Sequence, residues 1–496
     1  MTPTCPDPVP TTAVAETHTA VLFFVEDRVY KRKKPVAFPF LDFRTVAARR
    51  QACQQEVVLN RRLAPDVYLG VADVSMDGEA CDHLVVMRRM PSDRRLATMA
   101  CTGTVTADHI RQLARTIASF HAAAPTSGAL AVVATAGDIA ARWRETLDEM
   151  RQFSGSVLEP SMLDDITGLA ERYTAGRASL FDRRIRADKI RDGHGDLLAD
   201  DIFLLDDGPR VLDCLEFDER LRHGDVLADV AFLAMDLERL GRPDLARQFL
   251  DDYRELSGET WPASLAHHYI ASRAAIRAKV ACLRHVQADP SGQSAEQARL
   301  LAGMCLDHLA AGAVRLVLVG GLPGTGKTTL AAALAAEFDA VHLSSDETRK
   351  QLAGLPIDQP AGAEWQAGLY TRGATASTYR VMLEEAEQAL RLGQSVVLDG
   401  SWSGRAMRAA AAAIAATTTA DLVQLRCVVP SDVAAARIAT RAATGGSASD
   451  ATAAVAARIA LAFDPWPEAT TIDTTQPEQA AVKSASHTAN AVKMVG

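Results

Sequence analysis

Residues 314–337 read VRLVLVGGLPGTGKTTLAAALAAE: an apolar run, a glycine-rich turn, then an Ala/Leu-rich helical pattern. The apolar run has the texture of a strand buried on both faces. The turn fits GxxxxGK[ST] at Gly321, Gly326, Lys327 and Thr328, with Gly324 and Thr329 in and beside the same loop. Glycines there let backbone N–H groups close around phosphate oxygens, and the helix start adds partial positive charge. A lysine at the place of Lys327 bridges terminal phosphates, and the Thr328 hydroxyl ligates Mg²⁺. The flanking strand and helix separate this motif from an ordinary glycine-rich turn.

Strand character recurs at 339–343, 395–399 and 421–429, with helical stretches between. That alternation predicts a parallel sheet with helices on its faces. The stretch SVVLDG (395–400) ends its strand in Asp399, placed to hold a metal or its water. SSDETRK (344–350) puts Asp346 and Arg349 one helical turn apart at the carboxyl edge of the sheet. A carboxylate there suits taking a proton from an acceptor hydroxyl, and an arginine suits a phosphate or substrate anion. The same residues also suit a capped helix start. GLPGTGKTTL with the downstream SSDETRK resembles the zeta-toxin-like group of small-molecule P-loop kinases, which includes gluconate-kinase-like, chloramphenicol-phosphotransferase-like and polynucleotide-kinase-like proteins. The resemblance spans about residues 313–475. It implies Asp346 as general base, Arg349 as a substrate or phosphate contact, and a lid helix whose arginines face the nucleotide. Arg437 and Arg441, four apart in AAARIATRAA, are the candidates for those arginines.

Upstream, residues 18–31 predict two strands joined at Glu26-Asp27, 45–63 a helix, and 67–74 and 83–90 two more strands. This is a small sheet-rich lobe ending near residue 92. Residues 105–180 and 225–310 read as helical, separated by a hairpin over 200–215. HGDLLADDIF (194–203) is followed by VLDCLEF (211–217). The triplet HGD decides nothing alone, since it recurs at His223–Asp225. Order and spacing carry the reading. A kinase catalytic loop needs an Asp to accept a hydroxyl proton, an oxygen ligand for Mg²⁺ five residues on, and a second metal-binding Asp on the next hairpin. Asp196, Asp201 and Asp213 stand at those places. Such a fold also needs a strand lysine for the ATP phosphates, which Lys31 or Lys33 offers from one strand face, and a helix acid to hold it, which is Glu56.

These parts resemble the aminoglycoside-phosphotransferase-like (kinase-like) fold. VYKRKKPVAFPFLDF, CQQEVVLNRRLAPDVYLGV and VLDCLEFDERLRHGDVLADVAFLAMDLERLG resemble actinobacterial proteins that fuse such a domain to a C-terminal P-loop kinase. The resemblance implies that Asp196 is the catalytic Asp, Asp213 a metal ligand, and Asp225 or Asp229 a support of the catalytic loop. His194 is then a packed structural histidine. Two departures stand out. Asp201 occupies a place where the family has Asn, adding charge and losing an amide donor. No glycine-rich phosphate loop is visible at 20–30.

Composition sets the outer bounds. The 496 residues are 48% hydrophobic and 23% charged, ordinary for a globular chain with a large core. Fifty-three basic against sixty-two acidic residues leave a net charge of −9, which argues against long nucleic acid and against an anionic membrane surface. Eight scattered cysteines without a CxxC pair suggest reduced thiols and a cytoplasmic setting. MTPTCPDPVP is no signal peptide, and no apolar run reaches membrane length. Acids at 225, 229, 236, 238, 251, 252 and 255 suit either a cationic acceptor such as an amino sugar or a solvated helix face. The expected plan is a mobile arm (1–17), a kinase-like N-lobe (18–92), a helical C-lobe (93–290), a linker helix (291–312), a doubly wound P-loop kinase domain (313–475) and a disordered tail (476–496), an α/β and α+β combination. The expected function is ATP- and Mg²⁺-dependent phosphoryl transfer to small-molecule hydroxyls from two nucleotide sites. The rivals are a regulatory protein with a non-catalytic first half, and a polynucleotide or nucleotide-sugar kinase.

Overall fold

The computed structural model describes residues 12–17, 19–38, 41–126, 134–288, 292–357, 359, 368–444 and 452–491. The chain divides into two units: Met1–Thr167 with Phe181–Trp261 and Ala266–Leu309, and Gly168–Leu180 with Pro262–Leu265 and Ala310–Gly496.

The first unit begins with β1 (Thr12–Glu16), β2 (Ala20–Val25) and β3 (Arg28–Lys33), then a short pair, β4 (Ala37–Phe38) and β5 (Leu41–Asp42). The helix Val46–Asn60 follows, capped by the Thr45 side chain, which accepts from the Ala48 N–H. β6 (Tyr68–Met76) and β7 (Glu79–Arg88) complete an antiparallel sheet in the order β1-β2-β3-β7-β6. In β3 the buried positions are Val29, Lys31 and Lys33, so the period of two turns both lysines inward. Cys53 and Val57 of the helix pack with Tyr68, Val85, Phe203 and Leu212 into one apolar cluster, which fixes the helix against the sheet.

The remainder of this unit is helical around one buried rod, Val226–Arg239, whose residues from Val226 to Leu237 are all buried. A helix apolar on every side belongs in a core. Two small antiparallel pairs belong to this part: β8 (Ile190–Asp192) with β11 (His223–Asp225), and, between them in the chain, the hairpin of β9 (Ile202–Leu205) and β10 (Gly208–Val211).

The second unit is a five-stranded, all-parallel sheet of β12 (Arg315–Gly320), β13 (Val341–Ser344), β14 (Val396–Asp399), β15 (Asp421–Val428) and β16 (Thr470–Asp473). Its order is β13-β14-β12-β15-β16. The carboxyl ends of β12, β13 and β14 therefore lie side by side, the usual ligand edge of such a sheet. No helix among the described residues is long and apolar enough to cross a membrane.

Two expectations are corrected. The tail expected to be disordered from residue 476 holds the helix Glu478–Ala491. Its Ala481, Ala485 and Ala489, four apart, are buried in the core cluster with Val317, Leu330, Leu334 and Leu425. Small side chains let the helix approach closely, and a search for large apolar residues misses that. The expected mobile arm contributes β1, which pairs with β2 from Thr12↔Val25 to Glu16↔Val21; residues 1–11 lie outside the described residues. So do 289–290 at the end of the expected C-lobe, 291 at the start of the expected linker helix, and 445–451 after the expected lid helix.

Ala485→Arg puts a long cation at a fully buried position of this cluster. Overpacking and an unpaired buried charge together should cost about 3 kcal/mol. Thermal unfolding of the second unit's transition should shift down by several degrees, while an unchanged transition would remove the terminal helix from the core.

Candidate active sites

In the first unit Glu56 is fully buried and shared by both lysines. Lys31 Nζ stands 2.8 Å from Glu56 Oε1 and 2.6 Å from Asp213 Oδ1; Lys33 Nζ stands 2.6 Å from Glu56 Oε2 and pairs also with Glu216. Burial works against the Lys31 ammonium, but Asp213, Glu56 and Glu216 outweigh it and hold its pKa well above the ordinary lysine value. Burial likewise works against the Glu56 carboxylate, and the two lysines keep it ionised. Of the two lysines offered by the sequence, Lys31 is the one that reaches Asp213.

Asp213 sits at φ 61°, a left-handed conformation that costs a non-glycine residue roughly 1 kcal/mol. The surroundings hold it there. Its N–H donates to the Tyr68 hydroxyl at 3.1 Å, and the next N–H, of Cys214, donates to Asn60 Oδ1 at 2.8 Å. Burial opposes its charge, yet Lys31, Lys33 and His194 keep its pKa low. Asp201 goes the other way. Burial, Asp213 and Asp196 push it well above the carboxylate range. A neutral carboxyl has one donor and acceptor capacity, which brings it closer to an Asn side chain than a carboxylate is. Asp196 is pushed up to about 6 by burial and Asp213, against the pull of Arg277 and Arg273.

The segment His194–Asp196 is held from beneath. The N–H groups of His194 and Gly195 donate to Asp229 at 2.6 and 2.8 Å, and His121 Nε2 lies 3.1 Å from the same carboxylate. Asp225 instead caps the buried helix through the Leu227 N–H and pairs twice with Arg184. Asp229 is therefore the support, and Asp225 is not. His194 is buried, bonds the Leu212 carbonyl at 3.0 Å and is shifted down by burial, as a packed histidine should be. Lys31, Asp196, Asp201 and Asp213 open on one cleft of about 840 Å³.

In the second unit Gly321, Gly324 and Gly326 take φ of 140°, 82° and 80°. A Cβ on Gly324 would meet the Ala434 carbonyl at 2.5 Å, and one on Gly321 the Cys427 carbonyl at 2.7 Å. The loop thus requires glycine both for its turn and for close backbone approach, and it delivers Lys327 and Thr328 at the start of the helix Lys327–Glu337. Asp399 ends β14 buried, its Oδ1 without a hydrogen-bond partner. Burial raises its pKa, and Lys327 and the Thr328 hydroxyl draw it back. An orphaned buried oxygen beside a hydroxyl and a phosphate loop fits a hydrated Mg²⁺. Asp346 pairs with Arg349 at 2.5 Å, and that guanidinium lies 4.6 Å from the Tyr370 ring centre. Arg437 donates to the Thr474 carbonyl at 2.8 Å and packs beside Gly326; Arg441 follows one turn later on the same helix, Ser431–Thr444.

No three His, Cys, Asp or Glu side chains among the described residues form a metal cage. That suits Mg²⁺, which is commonly held by one or two carboxylates and completed by phosphates. Sequence reasoning missed Glu216, Tyr68 and the arginines of the helix Ala263–Ala288. The signal for Glu216 was there, since two inward lysines on one strand face outnumber the single carboxylate of Glu56.

Asp229→Ala leaves two buried N–H groups and His121 without an acceptor, at a cost of about 3 kcal/mol. The folded pKa of Asp229 is depressed, since His121 and the His194 N–H outweigh burial. Its contribution is complete above the ordinary carboxylate range and fades as the pH falls below it. Urea unfolding of wild type and variant should differ at pH 7 and converge in acid; equal stability at pH 7 would contradict this support.

Comparison with known proteins follows these two sites. Residues 316–466 match the family model described as an AAA domain. Uncharacterized proteins of Mycobacterium tuberculosis (strain H37Rv) and Mycobacterium bovis are 42% identical over 475 residues, covering 96% of this chain and 94% of theirs. Among solved structures, a putative kinase from Chloroflexus aurantiacus is 25% identical, covering 35% of this chain and 98% of its own, with a TM-score of 0.29. A choline/ethanolamine kinase family protein from Mesorhizobium loti is 13% identical, covering 61% and 92%, with a TM-score of 0.37. A gluconokinase from Sinorhizobium meliloti is 16% identical, covering 36% and 90%, with a TM-score of 0.26. The chain belongs to one family with these mycobacterial proteins, and it carries a C-terminal AAA domain over residues 316–466.

Proposed function

We propose that the chain is an ATP-dependent phosphotransferase acting on small-molecule hydroxyls, with a working nucleotide site in each unit. The observation that carries the reading is Lys31, tied to both Glu56 and Asp213 in a cleft shared with Asp196. Lys31 binds the nucleotide phosphates, and Glu56 keeps its ammonium charged and aimed. Asp196 takes the proton of the acceptor hydroxyl as that oxygen bonds to the γ-phosphorus. The bond to the bridging oxygen breaks, and ADP leaves with the electron pair. In the second unit Gly321, Gly324, Gly326 and Thr329 shape the phosphate cradle and Lys327 meets the terminal phosphates. Asp346 is the base there, and Arg349, Arg437 and Arg441 meet the charge on the transferring group. Mg²⁺, held by Asp201 and Asp213 in one unit and by Thr328 and Asp399 in the other, neutralises phosphate charge when bound.

A second reading, a nucleotide-binding first unit that controls the second without turnover, is favoured by Asp201, whose burial beside two acids disfavours its ionised form. Full-length Lys327→Ala and the double variant Lys327→Ala/Asp196→Asn separate the two. The single variant should retain ATP-dependent transfer to some acceptor in a panel of sugars, sugar acids and amino alcohols. Adding Asp196→Asn should cut that residual rate by about 10²–10⁴-fold. Equal rates in the single and double variants would establish the regulatory reading.

The residual activity of Lys327→Ala should also have an acid limb. Asp196 accepts a proton only when ionised, so turnover falls as the pH drops through about 6. A profile flat from pH 5 to 8 would remove Asp196 as the base.

A further inference from the structure

Building on the reading of the first unit's cleft as a phosphotransfer site, we propose that its acceptor is an anion: a hydroxyl compound carrying a carboxylate or a phosphate, held by Arg277 and Arg284. Both residues line the cleft that contains Asp196. They are seven residues apart on the helix Ala263–Ala288, two turns on one face, and so form a cationic strip about 10 Å long. Neither makes a hydrogen bond or ion pair with a described residue. Their neighbour Arg273 is spoken for: it donates to the Ala228 carbonyl at 3.1 Å and lies 4.8 Å from the Phe232 ring centre. Arg277 is also the strongest of the charges drawing the Asp196 pKa down, and Arg284 feels both Arg277 and Asp196, so the strip runs beside the proposed base.

The acids of the cleft do not cancel it. Asp213 and Glu216 are tied to Lys31 and Lys33, and Asp200 faces Arg95 at 3.9 Å. Glu26, Asp27 and Asp93 also line the cleft, but they come from the small lobe and the segment just after it. A cationic acceptor would need free acids or open aromatic faces. Six of the seven acids that the sequence offered for that purpose are engaged elsewhere, Asp225 with Arg184, Asp229 with His121, Asp236 with Arg239, Glu238 with His308, and Asp252 and Glu255 with Arg111, while Asp251 is exposed to solvent. None of them lines the cleft. The Phe24 and Phe203 rings, which do line it, are already covered by Arg89 and Arg95. A quaternary ammonium would find those two rings already covered; Tyr68 and Phe217 also line the cleft, Tyr68 buried and Phe217 half-buried.

The chemistry is unchanged: the acceptor oxygen bonds to the γ-phosphorus, its proton passes to Asp196, and ADP leaves with the bridging oxygen's electron pair. The arginines bind the anionic group at the far end of the acceptor and are positioning residues. The test uses full-length Lys327→Ala protein with matched acceptors: glycerate against glycerol, gluconate against glucose, ribose 5-phosphate against ribose, with choline and kanamycin as cations. At least one anion should exceed its neutral partner in kcat/KM by tenfold or more. Arg277→Gln and Arg284→Gln should raise KM for that anion by about 10–100-fold, the loss of charge-assisted hydrogen bonds, with KM for ATP unchanged. The carboxylate and phosphate arms show which anion is read. Preference for a neutral or cationic acceptor, or arginine variants with unaltered KM, would overturn the proposal. Should no acceptor turn over, the phosphotransfer reading of this unit fails separately, and calorimetric titration with the same anions decides: binding that Arg277→Gln/Arg284→Gln abolishes supports the anion site, and no binding overturns it.

Discussion

The Glu56 carboxylate is buried to the last atom, and the first unit is arranged around keeping it charged. An isolated carboxylate there would protonate or force the fold open. Two ammoniums from one strand face prevent this, and each is itself buried. Removing either partner of such a pair typically costs about 3–5 kcal/mol, since the remaining charge is left uncompensated. The helix, the strand and the segment after the hairpin that carries Asp213 are therefore locked to one another by charge as well as by apolar packing. That lock sets Lys31 in the cleft and holds its pKa well above the ordinary lysine value.

The two units answer one physical problem in different ways. The first presents side-chain ammoniums, fixed by acids, in a cleft beside a left-handed Asp213. The second presents backbone, using glycines whose every added Cβ would strike a carbonyl at Gly321 and Gly324. In each, an acid stands close to the cationic group: Asp213 beside Lys31, and Asp399 within the field of Lys327. The acids that the opening charge balance made an argument against nucleic acid are, at these places, paired with specific cations.

Much of this was legible because the chemistry imposes spacing. GLPGTGKT can hardly be anything but a turn between strand and helix, and alternation in VYKRK turns both lysines to one face. The doubtful points were those that spacing leaves open. Lys31 and Lys33 share a face, and only the three-dimensional placement of Asp213 separates them. Asp225 and Asp229 lie one turn apart on one segment, and which of them faces the loop is decided by where Arg184 and His121 come from. The helix Glu478–Ala491 was missed because its buried face is alanine, which carries little hydrophobic signal while allowing close packing. β1 was missed because Thr12–Glu16 is half polar and is fixed by pairing with β2 rather than by its own pattern.

The central claim is that one chain holds two nucleotide sites. Equilibrium binding of a non-hydrolysable ATP analogue with Mg²⁺ to the full-length protein tests it most directly. Two sites per chain in the wild type, falling to one in Lys327→Ala, is the predicted result. One site in the wild type and none in Lys327→Ala would contradict the account, because the cleft around Lys31 would then bind no nucleotide.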